Sequence, residues 1–227
     1  LRETVEQPER INLAEMAASY PVSFRESVGV WRLVPRDAFM LFLSNVLSSF
    51  TIGIFLPVFT LYMVDDLGVT EYQLSLIMAS MFVTMILFAL PSGKLIDTVG
   101  KRGPMLASFL LWAAAVPLFI WGDFWRLILA MTLVGVLQVL MSSAGGAWTA
   151  DLVPKEHRGR VNGSIGFFSL MALSLGQLTG GWVYDNVSHT LPWTLQVVLM
   201  VPPLLIILLG TKEERRGSGE AQRPSGG

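Results

Sequence analysis

Between Asp37 and Lys212 the formal charges gather in short clusters, and the stretches they leave bare run Ala38–Val64, Tyr72–Gly93, Gly103–Gly122, Leu127–Ala150, Val161–Tyr184 and Asn186–Thr211. Each holds 20 to 27 residues. At about 1.5 Å of rise per residue, an α-helix of that length crosses the roughly 30 Å hydrocarbon layer of a bilayer. Six spanning helices are expected. A buried helix of a soluble protein keeps a polar stripe, whereas the run "MLASFLLWAAAVPLFIW" around Leu118 is apolar nearly all the way round. Composition points the same way: of 227 residues only 15% are charged against 52% hydrophobic, too few charges to coat a soluble globule of this size. Pro57, Pro117, Pro202 and Pro203 fall inside the spans. An interior proline costs a soluble helix about 3 kcal/mol, while membrane helices accommodate it as a kink.

The basic residues give the spans a direction. If the first helix starts in the cytoplasm, Lys94, Lys101, Arg102, Lys155, Arg158 and Arg160 all fall in inner loops and both ends of the chain lie inside. The outer loops then hold only Arg126 of the 16 Lys and Arg, the asymmetry expected of the positive-inside rule. The expected domains are a cytoplasmic lead-in over 1–36, a six-helix bundle over 37–211 and a disordered cytoplasmic tail over 212–227, rich in Gly, Ser and charge. Within the lead-in, "SFRESVGVWRLV" can lie on the inner membrane surface through Phe24, Val28 and Trp31. The chain opens on Leu1 without a basic and apolar signal sequence, as expected if it starts partway through a longer one.

A formal net charge of -1 offers no pull toward nucleic acid, and the absence of cysteine excludes disulfides, thiolate nucleophiles and cysteine-held metal. His157 and His189 fall in loops on opposite sides of the membrane and no H-E-x-x-H pattern occurs. No catalytic residue, metal or cofactor is therefore assigned. A re-entrant filter or a charged ring is not visible. A six-helix channel and a non-transporting six-helix scaffold or remnant half stay open as alternatives to a transporter.

Two inner loops carry ordered patterns. In "GKLIDTVGKR", residues 93–102, Gly93 allows close helix approach and Gly100 a tight turn. Asp97 lies between them, and Lys101 with Arg102 holds the loop at the anionic inner face. In "ADLVPKEHRGRVNG", residues 150–163, Asp151 is offered to Lys101 or Arg102, Pro154 stops the fourth helix, and Arg158 and Arg160 anchor the fifth. That fifth helix carries Gly176 and Gly180 as a small-xxx-small ridge, extended by Gly181.

These loops resemble the signatures of the major facilitator superfamily, and the resemblance covers essentially the whole chain. It implies an all-α membrane protein whose six transmembrane helices form an inverted 3+3 repeat, half of a twelve-helix bundle. Gly93 and Asp97 on one side, Gly181 and Asp185 on the other, share the spacing such a repeat would leave. In the family the loop acid meets a helix amino terminus of the other half and closes the inner gate, a part that falls to Asp97. Antiporters of the family show Gly-Pro-x-x-Gly-Gly in the fifth helix, but Gln177 stands in the proline's place, so antiport is not implied. The opening "LRET", the polar lead-in and a fourth helix without a central arginine match the second half, helices seven to twelve. Its implied partner is an amino-terminal six-helix half missing from this chain.

The resemblance further implies that the first and fourth helices line a central cavity, the second and fifth flank it, and the third and sixth face lipid. Polar residues crowd those two helices: Ser44, Asn45, Ser48, Ser49 and Thr51 in the first, Gln138, Ser142, Ser143 and Thr149 in the fourth. Asn45, Ser48 and Ser49 share a face by helical spacing, as do Gln138, Ser142 and Gly145. Asn45, Ser49, Gln138 and Ser142 are the candidate cavity residues. Phe50, Met141, Trp148, Phe167 and Met171 are available as an apolar wall. Gln138 lies near the middle of its span, where an amide needs protein, water or substrate as partner. A helix-to-helix hydrogen bond fits it equally well. No Asp, Glu, Lys or Arg lies within a span, so any proton coupling has to reside in the other half. The expected function is part of a secondary active transporter of the plasma membrane, moving a small solute by alternating access. A drug, sugar, organic anion or amino acid all fit a neutral, serine-lined half cavity.

Overall fold

A computed structural model describes residues 29, 31 and 34–210 of the chain. The tail over 212–227 and most of the lead-in lie outside them. The elements are α1 (Arg36–Leu61), α2 (Glu71–Val99), α3 (Arg102–Ile120), α4 (Phe124–Leu152), α5 (Arg158–Asn186) and a sixth passage divided into α6 (Leu191–Leu199) and α7 (Val201–Gly210). By length and composition, six helical passages among the described residues can cross a membrane.

Charge ends a span without ending a helix. α1 runs past Val64 through a π-helical turn, Tyr62–Asp66. α2 continues beyond Lys94 and Asp97 to Val99 and stops at Gly100, because exposed charges leave the backbone ladder intact and a residue outside helical φ breaks it. A capping box starts α2: Thr70 Oγ1 accepts from the Gln73 N–H at 3.3 Å, and Gln73 Oε1 accepts from the Thr70 N–H at 3.0 Å. Pro57, Pro91 and Pro117 lie inside continuous helices. Pro202 and Pro203 act more strongly. Two successive residues without an N–H divide the sixth passage at Met200 instead of leaving one rod. Ser44 of α1 reaches the break and donates to the Pro203 carbonyl at 3.2 Å.

The helices pack in the order α5, α1, sixth passage, α3, α4, α2, with α1 lying most extensively on α5 and α4 on both α2 and α3. Glycines decide two of these contacts. A Cβ at Gly53 of α1 would sit 2.2 Å from the Leu173 carbonyl oxygen of α5, and one at Gly176 would sit 2.1 Å from the Phe50 oxygen of α1. Gly180 is held as closely, 2.6 Å from the Ile54 oxygen. At Gly135 of α4 a Cβ would lie 2.7 Å from the Met81 oxygen of α2. Lipid is as apolar as a side chain, so the gain in such contacts is van der Waals packing of backbone on backbone.

Between α1, α3 and α6 the filler is aromatic. Trp193 stacks on Phe119 at a ring separation of 5.1 Å and meets Phe55 and Tyr62 at 5.7 and 5.4 Å. The Tyr62 hydroxyl donates to the Ile120 carbonyl at 3.0 Å, tying the end of α1 to the end of α3. Trp121, Trp125, Trp182 and Tyr72 are exposed around this end of the bundle, where amphipathic rings suit a membrane interface. α2 and α5, at the two edges of the row, turn large apolar side chains outward, among them Ile86, Leu90, Leu170 and Leu178.

Trp31 departs from the membrane-surface expectation. Its Nε1 donates to Ser164 Oγ of α5 at 2.8 Å and its ring lies 4.2 Å from that of Phe42 of α1. The indole finds both a hydrogen-bond acceptor and an apolar wall on the bundle itself. Phe24 and Val28 lie outside the described residues.

Candidate functional site

At the charged-loop end of the bundle, α1, α3, α4 and α5 part around a cavity of about 270 Å³. Leu41, Ser44 and Asn45 line it from α1, Met105 from α3, Met141, Ser142, Gly145, Gly146 and Thr149 from α4, and Arg158, Asn162 and Ile165 from α5. Space for it comes partly from glycine. A Cβ at Gly145 or Gly146 would meet nothing within 4 Å, so these residues widen the hollow instead of admitting a helix.

Of the candidate residues, Asn45 and Ser142 reach this lining. The Asn45 side-chain oxygen accepts from Ser169 Oγ at 2.9 Å, bridging α1 to α5. Ser142 donates to the Val139 carbonyl at 3.1 Å and Ser49 to the Asn45 carbonyl at 2.9 Å; each hydroxyl hydrogen is satisfied by its own helix. Ser49 and Gln138 lie outside the lining. Gln138 is exposed one turn beyond Ser142 on the same face of α4, and its amide makes no hydrogen bond with any described residue. Ser48 does not share the face of Asn45 and Ser49: it is 3% exposed, turned into the bundle, without a partner among the described residues. One residue step rotates a helix position by about a hundred degrees, so neighbours at the edge of a stripe part company.

The loop residues meet in pairs. Lys101 Nζ donates to the Asp151 carboxylate, joining the start of α3 to the end of α4. Arg102 Nη2 donates to the Leu208 carbonyl in the last turn of α7, a cation at a helix carboxy terminus. Both bases are thus engaged by protein groups. Arg158 turns back on α4, its Nε donating to the Val153 carbonyl at 3.1 Å and its Nη2 to the Ala150 carbonyl. Asp97 is exposed on the last turn of α2 and pairs with no described residue. Gly93 is not a packing glycine: a Cβ there would meet nothing within 4 Å, because no helix of the bundle lies against that face. Gly181 is likewise open, rotated off the contact that Gly176 and Gly180 make.

Gly100 has φ 89° and ψ 179°, a region in which a side chain costs about 1–3 kcal/mol. Gly100→Ala is expected to lower thermal stability in detergent by that amount. Gly103→Ala, whose Cβ would make an ordinary 3.5 Å contact with Val99, is expected to leave it unchanged. Equal melting of the two variants would contradict the turn geometry.

Sequence reasoning missed Met105, Gly146 and Asn162 in the lining, and Gly53 and Gly135 at the helix contacts. For Asn162 a signal existed, since it follows Arg158 by four residues and is polar inside an apolar span. Among the described residues no group of three or more His, Asp or Glu gathers as a metal site.

The family model of the Major Facilitator Superfamily matches residues 41–226. Similar curated proteins include probable polyol transporter 4 of Arabidopsis thaliana, 23% identical over 177 residues, which are 78% of this chain and 33% of that protein. The vacuolar membrane amino acid uptake transporter fnx2 of Schizosaccharomyces pombe is 28% identical over 120 residues, 52% of this chain and 20% of its own length. The quinolone resistance protein NorA of Staphylococcus aureus is 24% identical over 159 residues, 70% of this chain and 40% of its own. The chain therefore spans less than half the length of each.

Proposed function

Since the chain belongs to the Major Facilitator Superfamily, we propose that it is one six-helix half of a non-enzymatic secondary transporter that moves a small solute by alternating access. The observation that carries this reading is the cavity between α1, α3, α4 and α5, whose lining mixes Asn45, Ser142, Thr149 and Asn162 with Met105, Met141 and Ile165. Ligand sites are mostly apolar with a few placed polar groups and hold about 300–1,000 Å³. One half would supply part of such a volume and a partner half the rest. Gln138 and Ser49, beyond the lining, would meet the substrate or the partner half at mid-membrane depth. The relatives' names speak of polyol and amino acid transport and of quinolone resistance, which supports transport of small organic solutes without choosing among them.

In this reading the chain is the second half, both termini are cytoplasmic, the membrane is the plasma membrane, and the cavity opens inward. The proposed organisation is a lead-in over 1–36, the bundle over 37–211 and a tail over 212–227. An inverted 3+3 repeat is supported by the pairing of helices: α1 with α5 and α4 with α2 are exchanged when the first three passages are swapped for the last three. The glycine approaches at Gly53 and Gly135 follow the same exchange. The bundle would rock as a body against its partner. Asp97, exposed and without a described partner, would meet a helix amino terminus of the partner half and hold the inner side closed. Protons, if coupled, would be carried by the partner.

The test is solute flux through the intact transporter in proteoliposomes. Asp97→Asn is expected to slow it about tenfold, equivalent to about 1.4 kcal/mol of lost gate stabilisation, with membrane insertion unchanged. Flux equal to the parent's would remove the gating role. Absence of flux for polyols, amino acids and amphipathic drugs alike would remove the transport reading.

A further inference from the structure

Two segments far apart in the chain, the turn at Asp66 and the stretch from Tyr184 to His189, converge at the end of the bundle opposite the Lys101–Asp151 pair. The Tyr184 hydroxyl, at the end of α5, donates to Asp66 Oδ2 at 2.6 Å. The imidazole Nδ1 of His189, in the link to α6, lies 2.7 Å from Asp66 Oδ1. The two rings stack face to face, 4.2 Å apart and 10° from parallel. Asp66 is brought there by the π turn that closes α1, a helical irregularity that recurs at functional positions. One carboxylate thus uses both oxygens to hold α1, α5 and the following link together.

From this geometry we infer that Asp66, Tyr184 and His189 form a pH-sensitive latch that tightens when the imidazole takes up a proton. Imidazole is the side chain suited to change charge between about pH 5 and 8. The Tyr184 hydrogen bond is present in either state. With His189 neutral, the third arm is a single hydrogen bond. With His189 protonated, it becomes a charge-assisted bond to a carboxylate, and the cation lies over the face of the Tyr184 ring. The other titratable groups acting on the cluster are Tyr62 and Asp65 of the π turn and Asp185 of α5. None of these groups is a cation that would repel a charged imidazole. The added hold is therefore present at the acid end of the window and lost as pH rises.

The latch is independent of substrate and of membrane orientation. Those decide only which compartment's pH it follows. Melting of the full chain in detergent, where both faces see one pH, tests it apart from the transport reading. The parent is expected to melt about 2 °C higher at about pH 6 than at about pH 8, the size suited to one half-exposed ion pair. His189→Gln and Asp66→Asn should abolish that rise. His157→Gln, the other histidine, and Tyr184→Phe should retain it. A parent with no rise, or a rise that survives His189→Gln, overturns the latch. So does a rise that disappears with His157→Gln. If Asp66→Asn does not fold, the His189→Gln comparison decides alone.

Discussion

Gly176→Ala is expected to cost the bundle about 3 kcal/mol or more, because an added Cβ meets a closer obstacle there than at any other glycine among the described residues. The added Cβ would lie 2.1 Å from the Phe50 carbonyl oxygen and 3.0 Å from the Gly53 Cα. Both obstacles are backbone, so no side chain can rotate away, and α1 and α5 have to separate along their longest contact. Overpacking of cores ordinarily costs about 1–3 kcal/mol; a rigid obstacle on both sides places this site at or above the top of that range. At about 2–4 °C per kcal/mol for a protein of this size, melting in detergent should fall by about 6–12 °C. The monodisperse peak in size exclusion should shrink. Gly181→Ala is the matched control, since its Cβ meets nothing within 4 Å and open surface changes stay within about 0.5 kcal/mol. If the two variants melt alike, α1 and α5 do not touch backbone to backbone.

The same contact shows how far the residues could be read without coordinates. Gly176 and Gly180 stand four apart inside an apolar run and declare a ridge on their own. Their counterpart, Gly53, is a single glycine in α1 with no spacing to mark it, and Gly135 is equally silent. Spans were legible because a bilayer excludes charge by length, a one-dimensional constraint. Helix ends were less so: Lys94 and Asp97 end the apolar stretch of α2, but only Gly100 ends its hydrogen bonds. In the charged loops, the choice of Asp151 between Lys101 and Arg102 depends on where α3 begins relative to α7, whose last turn takes Arg102. The Asp66–Tyr184–His189 meeting joins Asp66 to two residues more than a hundred positions away, and nothing in the local pattern on either side calls for the other. For the cavity, Asn45 and Ser142 were readable as polar residues on helical stripes. Ser48 was assigned to the same stripe because spacing alone does not show where its edge lies.

Arg158→Ala carries the other large expected effect, and its reason is the unfinished end of α4. A helix leaves its last four carbonyls without intrahelical donors, and the Arg158 guanidinium supplies donors to two acceptors there, at Ala150 and Val153. Val153 is 1% exposed, so water is a poor substitute at that position. Hydrogen bonds from a charged donor contribute about 1.5–3 kcal/mol each. Partial access of solvent to the Ala150 end brings the expected loss to about 2–3 kcal/mol. Because Arg158, Ala150 and Thr149 also line the cavity, loosening this turn should change the hollow as well as the stability. Arg158→Lys discriminates the cause. Lysine keeps the charge but not the planar fork, so it should recover less than half of the loss if paired carbonyl contacts are what matters. Recovery of full stability by lysine would reduce Arg158 to a charge at the membrane surface, and melting indistinguishable from the parent in Arg158→Ala would remove it from the helix end altogether.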